Sequence, residues 1–127
     1  MVRQEFTVEK YWKVVVFYSV DYGLFNTINK ELKEYGASPK TISGIFTNLF
    51  LGLAKAVTYS NTSKHVSIVI FDKHMTKADY LNSIVHEAEH IKQAMLEAYD
   101  VDDKGEPPAY TIGHLVMKMY KVFRKFL

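Results

Sequence analysis

Ten consecutive positions, Tyr11 to Val20 (YWKVVVFYSV), are almost entirely β-branched or aromatic. Such a run predicts a strand with both faces largely buried. Leu24, Phe25, Ile28, Leu32 and Tyr35 then recur at helical spacing, predicting a helix over 24–35 that Gly36 stops. Ser38-Pro39 reads as an N-cap followed by proline at the first helical position. Ile42, Ile45, Phe46, Leu49, Phe50 and Leu53 carry that second helix, whose far end Gly44 and Gly52 weaken.

Residues 54–60 and 65–71 predict a hairpin around Asn61-Thr62-Ser63-Lys64. Thr76 and Asp79 form a short-chain variant of the capping box and open a helix over about 77–99. Its apolar stripe comprises Leu81, Ile84, Val85, Ala88, Ile91, Met95 and Tyr99, with Lys92 the only charged member. A polar loop, Asp100 to Glu106, leads to Pro107-Pro108, which suit the first turn of a last helix reaching about Phe126. The order is strand, helix, helix, hairpin, helix, helix. The expected class is α+β, a small twisted sheet of about three strands packed with about four helices in a single domain over 1–127.

Composition narrows the partners. The 127 residues are 48% hydrophobic and 24% charged, an ordinary globular balance. There is no cysteine, so a transition-metal site must use histidine and carboxylate. A net charge of +2 does not point to nucleic acid. No apolar run reaches membrane-spanning length, and Met1 to Lys10 is polar and mixed in charge, unlike a signal peptide. An intracellular protein with no membrane partner is the default expectation. The basic end of the last helix (Lys118, Lys121, Arg124, Lys125) reads as solvation and complement to the helix C-terminus. The apolar stripe of that helix leaves a homodimer interface open.

The chemistry is concentrated in His86-Glu87-Ala88-Glu89-His90. On a helix two histidines at i and i+4 point the same way, so both can grip one Zn²⁺, and Glu87 lies beside the metal as a general base. His86 and His90 fall opposite the apolar stripe, facing solvent or a second layer that the last helix would supply. A hydrolytic zinc site takes three protein ligands. Glu106, 16 residues after His90 at the entry to the last helix, is the first choice for the third, and His114 the second. Glu97 shares the histidine face but sits roughly 10 Å along the axis, too far for the same ion. Asp102 and Asp103 are loop candidates. Tyr110, one turn past Glu106, is a candidate oxyanion stabiliser by position, and His114 another. His65 and His74, at a strand start and a loop, read as solvated. His₂-Glu suits zinc without excluding manganese, iron or cobalt.

Val85-His86-Glu87-Ala88-Glu89-His90 followed by Glu106-Pro107-Pro108-Ala109-Tyr110 resembles the gluzincin pattern of the ImmA/IrrE type, in which H-E-x-x-H is followed by a helix E-x-x-A-x-x-F/Y-A. The chain is also similar to small phage- and mobile-element-encoded proteins of unknown role that carry a hairpin, an H-E-x-x-H helix, an acidic loop and an E-x-x-A-Y helix. The resemblance covers roughly 54–127. It implies a minimal zincin fold, zinc held by His86, His90 and Glu106, Glu87 as general base, a peptide or protein substrate, and the cytoplasm of a bacterial or phage-infected cell. A second reading keeps the fold as a non-catalytic interaction module of a phage or mobile element, motivated by small size, the charged Glu89 and the lack of a substrate subdomain. A third is a helix–sheet protein with no metal.

Overall fold

The structure, a computed structural model, describes residues 1–127 apart from the side chains of Leu24 and Glu106. Two antiparallel strands open the chain, β1 (Val2–Val8) and β2 (Trp12–Val20). A 3-10 turn leads to α1 (Phe25–Glu34) and α2 (Pro39–Phe50). The hairpin follows as β3 (Ala56–Asn61) and β4 (Val66–Asp72), then α3 (Lys77–Tyr99) and α4 (Glu106–Phe123), which ends in a 3-10 turn. The strands form one mixed sheet in the order β1-β2-β4-β3, with β2 and β4 parallel and the outer pairs antiparallel. The protein is therefore α+β with four strands and four helices.

The fourth strand corrects the expected three. β1 carries Arg3, Glu5 and Thr7 outward and half-buries Val2, Gln4 and Phe6 between them. That period-2 alternation is the signature of an edge strand with one wet face, and the mixed charge of Met1 to Lys10 hid it. Inner strands β2 and β4 are both buried on two faces, as the apolar run of β2 predicts. Val14, Val16, Tyr18, Val69 and Phe71 enter one core, while Val15, Phe17, Val66, Ile68 and Ile70 enter another. α1 and α2 cover the second face through Ile28, Leu32, Ile42, Ile45 and Leu49. α3 and α4 cover the first through Tyr80, Ile84, Ala88, Ile91, Met95, Leu115, Met119 and Phe123.

Helix boundaries follow local chemistry. Ser38 caps α2 by accepting from the Thr41 amide, with Pro39 at the first position. α2 ends at Phe50, three residues short of its expected last apolar position, because Gly52 (φ +71°) turns left-handed and the amides of Gly52 and Leu53 bond back to Leu49 and Asn48. The capping box predicted for α3 is complete, with Thr76 and Asp79 each accepting from the other's amide. No helix among the described residues is long and apolar enough to cross a membrane.

Candidate metal centre

The long helix α3 is rotated slightly from the expected stripe. Tyr80, Ile84, Ala88, Ile91, Lys92 and Met95 are buried as the inner face, and Glu87 joins them. Leu81 and Val85, expected in the core, are exposed at 55% and 53%. The reason lies in the neighbours: α3 leans on edge strand β3 through the Glu87 side, and α4 lies along the other flank without covering Leu81 and Val85. α4 instead reaches the far edge of the sheet, where Gln4 on β1 donates to the Lys118 carbonyl at 2.8 Å and the Tyr18 hydroxyl to that of Met119 at 3.3 Å. The histidine face is consequently open, with the His86 side chain 67% exposed.

The two imidazoles meet one turn apart. Nε2 of His86 and Nε2 of His90 are 3.1 Å from each other, with the rings nearly perpendicular. Two nitrogens bound at 2.0–2.1 Å to one tetrahedral ion stand about 3.3 Å apart, so the pair is spaced for a single zinc with a shift of only a few tenths of an ångström. Glu87 is buried, 3% exposed, and one carboxylate oxygen accepts a hydrogen bond from the Thr58 hydroxyl on β3 at 2.9 Å. The other oxygen lies 4.0 Å from His86 Nε2. Ligand atoms of His86, Glu87 and His90 all fall within 4.8 Å of one another. The 4.0 Å separation exceeds the donor–donor distance on one tetrahedral ion, which sets Glu87 beside the histidine pair rather than as a third donor to the same centre.

A cleft of about 300 Å³ opens here between β3 and α3, lined by Ala54, Lys55, Ala56, Asp79, Asn82, Ser83, His86 and Glu87. Its floor is polar. The Lys55 ammonium bonds Asp79 at 2.7 Å, and with the Thr76 amide this holds the Asp79 carboxyl down at about 2. Asn82, Ser83 and Thr58 are site residues that the sequence reading did not identify. Asn82 was within reach, since 82, 86 and 90 are successive i+4 positions on one helical face. Thr58 carried no such signal, because strand register alone brings it under Glu87.

The remaining candidates are distributed differently. Glu106 is the first residue of α4, following Gly105, and its side chain lies outside the described residues. His114 and Tyr110 are exposed along α4; Tyr110 is 72% exposed and does not line the cleft. Among the described residues, neither His114 nor Glu97, Asp102 or Asp103 joins the histidine cluster. Asp103 is engaged elsewhere: both its oxygens accept from the Lys92 ammonium, at 2.8 and 2.7 Å. Glu89, the extra charge inside the motif, turns to the same lysine at 2.8 Å. Burial works to lower the Lys92 pKa, but the hydrogen bonds to Asp103 and Glu89 outweigh it and the net shift is upward. His65 is not simply solvated. It stacks on Trp12 at 5.5 Å between ring centres and meets the Tyr99 ring edge-on at 5.2 Å.

Comparison with protein-family models, curated proteins and solved structures returns no match. The functional reading therefore stands on the site itself.

Proposed function

We propose that this chain is a zinc-dependent peptidase-like protein on a minimal zincin-type fold, with His86, His90 and Glu106 holding the metal. The observation that carries the reading is the 3.1 Å apposition of the two Nε2 atoms beside a buried glutamate, in a cleft under an edge strand. The donor set is nitrogen and oxygen with no sulfur, which suits zinc in a hydrolytic site. A bound Zn²⁺ supplies Lewis acidity, which brings water to hydroxide-like reactivity near neutral pH and polarises a carbonyl.

The chain's own residues supply the rest. Glu87 takes the proton of the attacking water and passes it to the leaving amine nitrogen. Burial and the Thr58 hydroxyl hold its carboxylate in one orientation, so only one oxygen is left for that transfer. β3 offers its outer backbone edge to an extended peptide, which supports a peptide rather than a small-molecule substrate. Asn82, on the histidine face of α3 and in the cleft, is placed to hydrogen-bond a substrate carbonyl.

Metal content tests the reading directly. Protein purified without chelator should hold about one zinc per chain, and His86→Ala/His90→Ala should hold none. Glu87→Gln should keep the zinc and lose cleavage of a mixed peptide library read by mass spectrometry. Retained cleavage in that variant would sink the mechanism. A second reading, a non-catalytic interaction module of a phage or mobile element, draws on one observation: Tyr110, the side chain expected to steady an oxyanion, lies away from the cleft. Zinc bound at one per chain with no cleavage of the library by the wild type would favour it.

A further inference from the structure

α1 and α2 line a cavity of about 350 Å³ on the side of the sheet opposite α3 and its histidines. Residues 35–38 join the two helices, a connection short enough to make them an antiparallel pair. Phe25, Asn29 and Lys33 fall at successive i+4 positions and give α1 one wall of the cavity. Ile42, Ser43 and Phe46 give α2 the other. The rings of Phe25 and Phe46 meet edge to face, 4.8 Å between centres, so the start of α1 lies against the far half of α2. Lys33, at the other end of α1, therefore stands by Pro39, where α2 begins.

The cavity is graded along its length. One end is aromatic: Phe25 is buried, and Phe46 also meets the rings of Tyr22 and Phe50. The other end is cationic. Lys33 is exposed and makes no ion pair or side-chain hydrogen bond among the described residues. The last carbonyls of α1 already have donors, since Leu32 and Lys33 accept from the amides of Ala37 and Gly36, and Glu34 from the Lys64 ammonium. The Lys33 side chain does not serve as their cap. Among the described residues no carboxylate lines the cavity, and the positive end of the α2 dipole adds to the field of Lys33. Between the two ends, Asn29 Oδ1 is sealed from water with no donor among the described residues. A buried acceptor without a partner is rare in folded proteins. The carboxamide torsion is soft, so Asn29 can turn that oxygen towards a donor in the cavity. Largely apolar walls with a few convergent polar groups, at this volume, are the features of a small-molecule site.

We propose that this cavity binds a small aromatic carboxylate, with its ring against Phe25, Ile42 and Phe46, its carboxylate on the Lys33 ammonium, and a ring N–H or O–H donating to Asn29. Phe25 and Lys33 are about 12 Å apart along the helix axis, which suits a bicyclic ring carrying a short acid arm. The inference does not depend on the zinc reading, because the sheet separates the two sites.

The test titrates indolepropionate into the isotope-labelled full chain and reads the amide shifts residue by residue. Expected are saturable shifts at Asn29, Ile42 and Ser43 with a Kd below about 1 mM. The matching uncharged indolepropanol should bind about 2- to 5-fold more weakly, the margin of a solvent-exposed charge pair. Propionate, which lacks the ring, should leave these amides unmoved. Lys33→Gln should bring the acid down to the affinity of the alcohol and leave the alcohol unchanged. Ser43→Trp, at an exposed position on the wall, should fill the cavity and abolish binding of both. If that variant fails to fold, Lys33→Gln decides. Absence of saturable shifts, shifts centred on α3, equal affinity for acid and alcohol, or binding that survives in folded Ser43→Trp would overturn the inference. Each of those results leaves the zinc reading where it was.

Discussion

The two faces of the sheet are built from alternate residues of the same strands, yet they differ in kind. The face under α1 and α2 is dry: Val15, Phe17, Ile68 and Ile70 meet Ile28, Leu32, Ile45 and Leu49, all apolar. The face under α3 and α4 takes in Ser67, Glu87 and Lys92, buried polar or charged residues among the described ones. Each has a partner. Ser67 accepts from the Trp12 indole at 3.0 Å and pairs with Ser60, Glu87 takes Thr58, and Lys92 takes Asp103 and Glu89. Burying polar groups weakens a core relative to apolar packing, even when they are satisfied. One face is thus organised for stability, while the other gives up some of it to hold charged groups in fixed places beside an open histidine pair.

The sharpest way to break that contrast is to damage the dry face. Ile28→Ala, at a fully buried site, should cost about 2 to 5 kcal/mol in denaturant unfolding. Metal content per folded chain should be unchanged, and a parallel loss of metal would mean that the faces are not separable. Next in size is the ligand's own effect. Zinc at a hundredfold excess over its Kd should stabilise the wild type by about 2.7 kcal/mol in thermal or chemical melts, and should leave His86→Ala/His90→Ala where it was. Equal shifts in both proteins would place the binding elsewhere.

A smaller change probes the polar face from the strand side. Thr58→Val preserves shape and removes the one hydroxyl that donates to Glu87 among the described residues, so a buried carboxylate oxygen is left unpaired. The expected cost is about 1 to 3 kcal/mol, and a variant as stable as wild type would show that the carboxylate reaches solvent instead. The smallest effect concerns Asp79 at the rim of the cleft. Lys55 and the Thr76 amide hold its folded pKa at about 2, below the unfolded value of about 3.9. A depressed carboxylate stabilises the fold above the unfolded pKa and loses that contribution as pH falls through the folded one. The stability gap between wild type and Asp79→Asn should therefore be constant above about pH 5 and close between about pH 4 and 2. A gap that persists at pH 2 would mean that hydrogen-bond geometry, not charge, carries the cap.

The strong local signals needed no tertiary help. The runs in β2 and β4, the capping box of α3, Pro39 at the start of α2 and the i, i+4 histidines are short-range statements, and dihedral preference and side-chain period settle them within a few residues. They determined the α+β class, the helix that carries the motif and the outward direction of His86 and His90. Three other matters depended on which elements become neighbours. β1 is a strand because β2 pairs with it, although its own residues are mostly polar. Leu81 and Val85 are exposed although α3 packs against both β3 and α4, so the apolar stripe and the buried stripe do not coincide. Thr58 meets Glu87, and Lys92 meets Asp103, across 29 and 11 residues of chain respectively. Nothing local encodes such meetings: sheet register brings the first together, and the connection from α3 to α4 the second. The sequence by itself therefore determined the chemistry on offer, while the tertiary structure decided which carboxylates face the histidines and which are spent holding the frame.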